Sequence, residues 1–185
     1  MEALRPKGAP DAGLSKSALY RAARAGQYER IARGIYRLAR APAADWDWIE
    51  AATRRADATI CLTSALAIHD LTDTIPDALD VAIPRGARVP ATQAAINWHL
   101  FAKATFDLGR TQIPVPGSEL RIGIYSPERC IVDAFRLRGE LGYDLGREAL
   151  REWLRRGGKP AQLVSLAARL PRAKGPVLQA LELLA

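Results

Sequence analysis

The stretch LSKSALYRAARAGQYERIARGIYRL, residues 14–38, places a helix and a charged hairpin back to back. Ser15 stands where an N-cap belongs, Leu14 and Leu19 are spaced to staple the first turn, and Gly26 supplies a left-handed stop. Between these ends Leu19, Ala22 and Ala23 recur at i, i+3 and i+4, which predicts a helix of about three turns with that face inward. Lys16, Ser17, Tyr20, Arg21 and Arg24 then fall on the outward side. Small buried residues under a cationic outer face suit a helix that lies in a groove.

The hairpin follows almost at once. Arg30, Arg33 and Arg37 have only Glu29 nearby to offset them, and the anion best matched to a charged ribbon is a phosphate backbone. Two registers are open. A two-residue turn at Arg33-Gly34 puts Ile31, Tyr36 and Leu38 on one face and Arg30 with Arg37 on the other. A three-residue turn with Gly34 left-handed groups Ile31 with Ile35 instead. The first separates charge from core more cleanly, and both leave Arg33 at the tip.

Charge is distributed unevenly around this segment. Of the net +7, residues 15–40 hold +6 (seven basic, one acidic), residues 41–128 hold −4 (seven against eleven) and residues 129–185 hold +5 (eleven against six). A basic piece beside an acidic middle points to a nucleic-acid-binding unit joined to something else. The chain has 185 residues, 49% of them hydrophobic, enough for one substantial domain or for a small domain attached to a larger one. No apolar run approaches the roughly 18 residues of a membrane span, and no secretory signal pattern is present, so a cytoplasmic protein without a membrane partner is expected. Cys61 and Cys130 are far apart in sequence, outside any disulfide or zinc pattern, and read as buried thiols.

Outward from the hairpin, Pro6, Gly8, Pro10 and Gly13 make residues 1–14 a leader, and residues 40–44, RAPAA, read as a linker. A helix is expected from Trp46 to about Arg55. TICL (59–62), LDVAIP (79–84), INWHLF (96–101) and LRIGIY (120–125) read as strands, with a helix at SALAIHDL (64–71). Ser126 as N-cap with Pro127 at N1 opens a helical region with inward-facing Ile131, Ala134 and Phe135. Further helices align Leu145, Ala149 and Trp153, then Leu163, Leu166, Ala167 and Leu170, then Val177, Ala180, Leu181 and Leu184. The fold class is α+β: a leader at 1–14, a partial winged helix-turn-helix at 15–40, and a small mixed sheet with C-terminal helices at 45–185. The winged helix is partial because MEALRPKGAPDAG leaves no room for the helices that precede a recognition helix.

The candidate DNA contacts divide by chemistry. Arg24, Arg30, Arg33 and Arg37 are placed for phosphates, with Lys16 on the same helix face, and Ser17, Tyr20 and Arg21 for base edges. Arg129, Arg136 and Arg138 share one helix and suggest a second basic face, although pairing with Glu128, Glu140, Glu148 and Glu152 at helical spacing accounts for many of the C-terminal arginines equally well. His69 and His99 lack ligand spacing. Ser64, after a strand, invites comparison with a nucleophile, but LTSAL lacks the glycines of a nucleophile elbow and a helix cap is the expected role. Pro76-Asp77 and Glu119-Leu120-Arg121 echo a metal-dependent nuclease without its lysine. No catalytic residue, metal or cofactor is expected.

The helix, Gly26 and cationic hairpin resemble the N-terminal signature of the AbiEi-like antitoxins, DNA-binding regulators of bacterial type IV toxin-antitoxin systems. ICLTSALAIHDL is similar to that family's strand-helix segment, and YSPERCIVDAFRLRGELGYDLGREALREWLRRG to its helical core, where Ser126, Pro127, Asp133 and Arg138 match. The resemblance runs over roughly residues 14–184. It implies autorepression of an operon through inverted repeats, and a C-terminal domain that counteracts a nucleotidyltransferase-like toxin encoded next door, without requiring a stable complex. A protein-interaction or regulatory module with vestigial DNA binding is the alternative.

Overall fold

The computed structural model describes residues 15–32, 35–38 and 45–184. The expected leader at 1–14, the Arg33-Gly34 turn and the linker at 40–44 lie outside the described residues. Helix α1 (Lys16–Arg24) is followed by the two-stranded hairpin β1 (Tyr28–Ala32) and β2 (Ile35–Leu38). Helix α2 (Trp46–Arg54) then leads into a five-stranded mixed sheet made of β3 (Thr59–Ile60), β4 (Leu79–Pro84), β5 (Ile96–Phe101), β6 (Arg110–Pro114) and β7 (Arg121–Tyr125), in spatial order β5-β4-β3-β7-β6. Strand β3 runs parallel to β7 and antiparallel to β4; β4 and β5 are parallel, β6 and β7 antiparallel. Helix α3 (Leu62–Ile68) is inserted between β3 and β4, and α4 (Pro127–Arg136), α5 (Arg138–Leu141), α6 (Tyr143–Arg155), α7 (Pro160–Ala168) and α8 (Lys174–Leu184) complete the chain. This is the mixed α+β class the sequence implies.

The sheet and its first inserted helix depart from the sequence reading at two points. Strand β6, RTQIP, was not expected: it is a polar edge strand ending in a proline, which an edge tolerates because one side of its ladder is unpaired. Its Arg110 donates to Thr59 Oγ1 at 2.7 Å across β7, which is possible because Gly123 lies between them. A Cβ at Gly123 would fall 2.6 Å from that hydroxyl and 2.7 Å from Arg110 Nε. The second point is Ser64, which is not a cap. Helix α3 begins at Leu62 behind Cys61, and the Ser64 hydroxyl accepts the Asp80 N–H at 2.8 Å, tying α3 to β4. The strained position at this strand-to-helix turn is Leu62, at φ +47°, and its buried side chain carries no nucleophile.

Helix α4 organises the domain. Ser126 caps it, accepting the Arg129 N–H, with Pro127 in the first turn as expected. Every residue from Arg129 to Phe135 is buried, because α3, α6, α7 and α8 all pack against this helix. A helix enclosed on all sides is ordinarily apolar throughout, so its two charged residues must satisfy each other. Arg129 Nε donates to Asp133 Oδ2 at 2.8 Å, and both side chains are 1% exposed. The same guanidinium donates from Nη1 to the carbonyls of Thr105 at 2.8 Å and Leu108 at 2.6 Å, and lies 4.3 Å from the Tyr125 ring centroid. Tyr125 in turn donates from its hydroxyl to the Phe106 carbonyl at 2.8 Å. Residues 105–108, which lead from β5 to β6, are thereby fastened to α4 and β7.

The expected basic face of Arg129, Arg136 and Arg138 is corrected accordingly. Arg129 is interior. Arg136 is half-buried against the other carboxylate oxygen of Asp133, with Nε at 3.0 Å, and of the three only Arg138 is exposed, donating to the Phe135 carbonyl at 2.9 Å.

Cys61 and Cys130 are both fully buried, and burial raises both thiols well above their ordinary range. Neither is expected to react with a disulfide reagent at pH 8 in the folded protein, and both should react in denaturant. Asp133→Asn leaves two guanidiniums without their shared carboxylate and is expected to cost about 3–5 kcal/mol in urea unfolding. A loss under about 1 kcal/mol would contradict this reading of the pair.

Candidate nucleic-acid interface

Both ends of helix α1 are fixed by local chemistry. The Ser15 hydroxyl accepts the Ala18 N–H at 3.1 Å. At the other end Gly26, at φ +72°, donates to the Ala23 carbonyl at 3.1 Å, and Gln27 donates to Ala22 at 3.0 Å. These two bonds are the reversed pair of a Schellman stop, and they aim the chain directly into β1. The helix therefore meets the hairpin at a set angle, with no free loop between them.

One face of α1 is closed. Leu19 is buried against Tyr36 of β2, with Ala23 and Tyr28 packed at the margin. Tyr20, 39% exposed, meets the Tyr36 ring edge-on at 5.7 Å, so an outward-facing tyrosine is steadied by the residue beneath it. Ser17, Arg21 and Arg24 are exposed as the sequence expects, and Ala22 and Ala23 are half-buried. Arg21 and Arg24 also lie in the last turn, where positive charge complements the helix dipole, so their position has a structural account beside the DNA-binding one. The Lys16 and Arg37 side chains and all of Arg33 lie outside the described residues.

The hairpin combines the two registers: Ala32 pairs with Ile35, as the two-residue turn requires, but a bulge between Arg30 and Ala32 shifts the rest of the ladder by one, into the register of the three-residue turn. Arg30 then stands opposite Tyr36, and Arg37 opposite Glu29, so positions 30 and 37 occupy opposite sides of the ladder and not one shared face. Arg30 is exposed on the same side as the Tyr36 position, next to the helix.

The other candidate residues form no second site with these. His69 contacts the Tyr125 carbonyl at 2.8 Å and His99 contacts Asp80 Oδ1 at 2.9 Å, in separate places. Among the described residues no three His, Cys, Asp or Glu side chains gather closely enough to hold a metal ion, so Asp77 and Glu119 belong to no such cluster. Arg155 and Arg156 both donate to Glu152, and these bonds hold its carboxyl at about 2. This is the helical pairing expected of the C-terminal charges. Among the described residues no helix is long and apolar enough to cross a membrane.

Residues 3–39 match the family model described as "Transcriptional regulator, AbiEi antitoxin". The matched segment begins ahead of α1 and ends just past β2, so it contains the whole helix-hairpin unit, and the resemblance read from the sequence is shown over this part of the chain. The crystal structure of the RV2827C protein from Mycobacterium tuberculosis is similar in fold, at 17% identity and a TM-score of 0.59, over 94% of this chain and 67% of that one. At that identity the likeness is one of fold alone. No curated protein matches the chain.

Gly26→Ala forces a side chain into the left-handed region and is expected to weaken the helix stop by about 1 kcal/mol. Hydrogen exchange at the Gly26 and Gln27 amides should then accelerate roughly fivefold. Unchanged exchange would mean that the turn is not held by these two bonds.

Proposed function

We infer that this chain is a DNA-binding antitoxin of a type IV toxin-antitoxin system, that it represses its own operon at inverted repeats, and that its C-terminal domain opposes a nucleotidyltransferase-like toxin encoded beside it. The observation that carries this reading is the exposed outer face of α1, with Ser17, Tyr20, Arg21 and Arg24 set over the buried Leu19–Tyr36 contact, inside the segment that matches the antitoxin regulators. In this reading residues 15–40 are the recognition helix and wing, and residues 45–185 are the antitoxin domain.

The roles divide by reach. Ser17, Tyr20 and Arg21 enter the major groove and meet base edges, while Lys16 and Arg24 flank them on the helix. Arg30, Arg33 and Arg37 of the hairpin contact phosphates. The observed register refines that division: Arg30 lies on the helix side of the hairpin and Arg37 on the other, so they meet different phosphates and not neighbouring ones.

Gel-shift titration on the operon's own promoter at several salt concentrations tests the proposal. Replacing Arg30 and Arg37 together with alanine is expected to weaken binding to all sequences and reduce the salt slope by about 2. Arg21→Ala should change sequence preference, at about 1–3 kcal/mol for its base pair. Absence of salt-sensitive binding to an inverted repeat would remove the repressor reading and favour an interaction module.

A further inference from the structure

The corrected basic residues of the C-terminal domain converge on a cleft. Arg136 and Leu137 at the end of α4, Arg138 and Glu140 of α5, Arg172 in the turn between α7 and α8, and Pro176 in the first turn of α8 line a hollow of about 590 Å³. Three guanidiniums face one carboxylate there. Arg136 cannot be counted as neutralised by Asp133, because that single carboxylate is shared with the buried Arg129. One positive charge of the triad is therefore left over, and Arg136 is the member that reaches the cleft. Among the described residues no carboxylate pairs with Arg138 or Arg172.

A second observation concerns the backbone. Arg172 adopts φ +58°, the left-handed region, which glycine enters without strain and an arginine does not. Leu62 and Asp70 share this conformation, so it marks Arg172 as held in place by its surroundings, while the charge of the lining is what points to a ligand. A second cleft, about 390 Å³ beside α6, also has a left-handed non-glycine residue in its lining, Asp70 at φ +53°, and differs in its charge. There Glu152 is bound by Arg155 and Arg156, Glu148 accepts the Asp73 N–H, and Arg156 is bonded to the His69 and Asp70 carbonyls; with Asp70, Asp73, Glu148 and Glu152 against Arg151, Arg155 and Arg156, the lining has no excess of positive charge.

We propose that the Arg136–Arg138–Arg172 cleft binds a terminal phosphate, the dianionic phosphomonoester of a nucleotide or of a phosphorylated RNA end. The net charge of the lining, three arginines less Glu140, matches a dianion better than the single charge of a backbone phosphodiester. Guanidiniums are the side chains best shaped to clasp phosphate oxygens in pairs. The volume exceeds that of a phosphate alone and falls in the range of small-molecule sites, and Leu137 and Pro176 give the remainder of the ligand an apolar wall. This site is independent of DNA reading by α1 and stands whether or not that reading holds.

Isothermal titration of the full chain with AMP, adenosine, and a short RNA carrying either a 5′-phosphate or a 5′-hydroxyl tests it. AMP is expected to bind saturably and adenosine not at all. Arg172→Gly removes the guanidinium while relieving the backbone, so it should weaken AMP about tenfold with an unfolding temperature equal to or above the parent's. Arg169→Ala, an equal loss of charge outside the cleft, should leave AMP binding unchanged. Tighter binding of the 5′-phosphorylated RNA than of AMP identifies a strand end as the ligand, and equal or weaker binding identifies a free nucleotide; both support the site. Equal binding of adenosine, unaltered binding by the Arg172→Gly protein, or competition by an acidic peptide as strong as that by AMP would overturn it.

Discussion

One buried carboxylate carries much of the C-terminal domain. Asp133 accepts from Arg129 on one oxygen and from Arg136 on the other, and Arg129 carries the connection onward to the carbonyls of Thr105 and Leu108. Without that pair a cation would stand unpaired at the centre of the most enclosed helix in the described structure, at a cost comparable with much of a domain's net stability. With it, α4 is locked to the segment between β5 and β6, and Tyr125 closes the same region from β7 through its bond to Phe106. Helices α3, α6, α7 and α8 then pack around a helix whose position is set by charge as much as by apolar area.

The same pair explains where charge in this chain becomes available. Two arginines on one acid leave a positive remainder, and it emerges at Arg136, beside Arg138 and Arg172. At the other end of the protein, charge is handled differently. The described core of the helix-hairpin unit consists of Leu19 and Tyr36 with partial cover from Ala23 and Tyr28, and the arginines of α1 lie outside it. In the C-terminal domain part of the positive charge is engaged internally and the remainder is gathered at one cleft, whereas Arg21 and Arg24 of α1 are presented directly to solvent.

How legible this was depends on the range of the interactions involved. Helix ends were readable because caps are local: Ser15, Gly26, Ser126 and Pro127 do what their positions in the sequence imply. Apolar periodicity located α6, α7 and α8, and the outer face of α1 was read correctly at Ser17, Tyr20, Arg21 and Arg24. Strand β6 was missed because its polar RTQIP pattern has no apolar alternation and pairs with β7 alone, on its inner side. Arg129 was misplaced because sequence spacing offers any i, i+4 acid as an equal partner, while the carbonyls that draw it inward belong to residues more than twenty positions away. The hairpin bulge is not legible for a related reason: the sequence of the two strands is compatible with either register, and the ladder joins the two. Arg172 carried no signal at all, since a positive φ at an arginine cannot be read from its neighbours.

The central claim is that exposed charge on α1 and its hairpin, and not the arginines of the C-terminal helices, meets duplex DNA. Amide chemical-shift mapping with an inverted-repeat duplex from the promoter, lacking terminal phosphates, tests it most directly. Shifts concentrated at Ser17–Arg24 and around Arg30, fading as salt is raised, are the expected result. Shifts concentrated on α4 to α8, with α1 unperturbed, would contradict it.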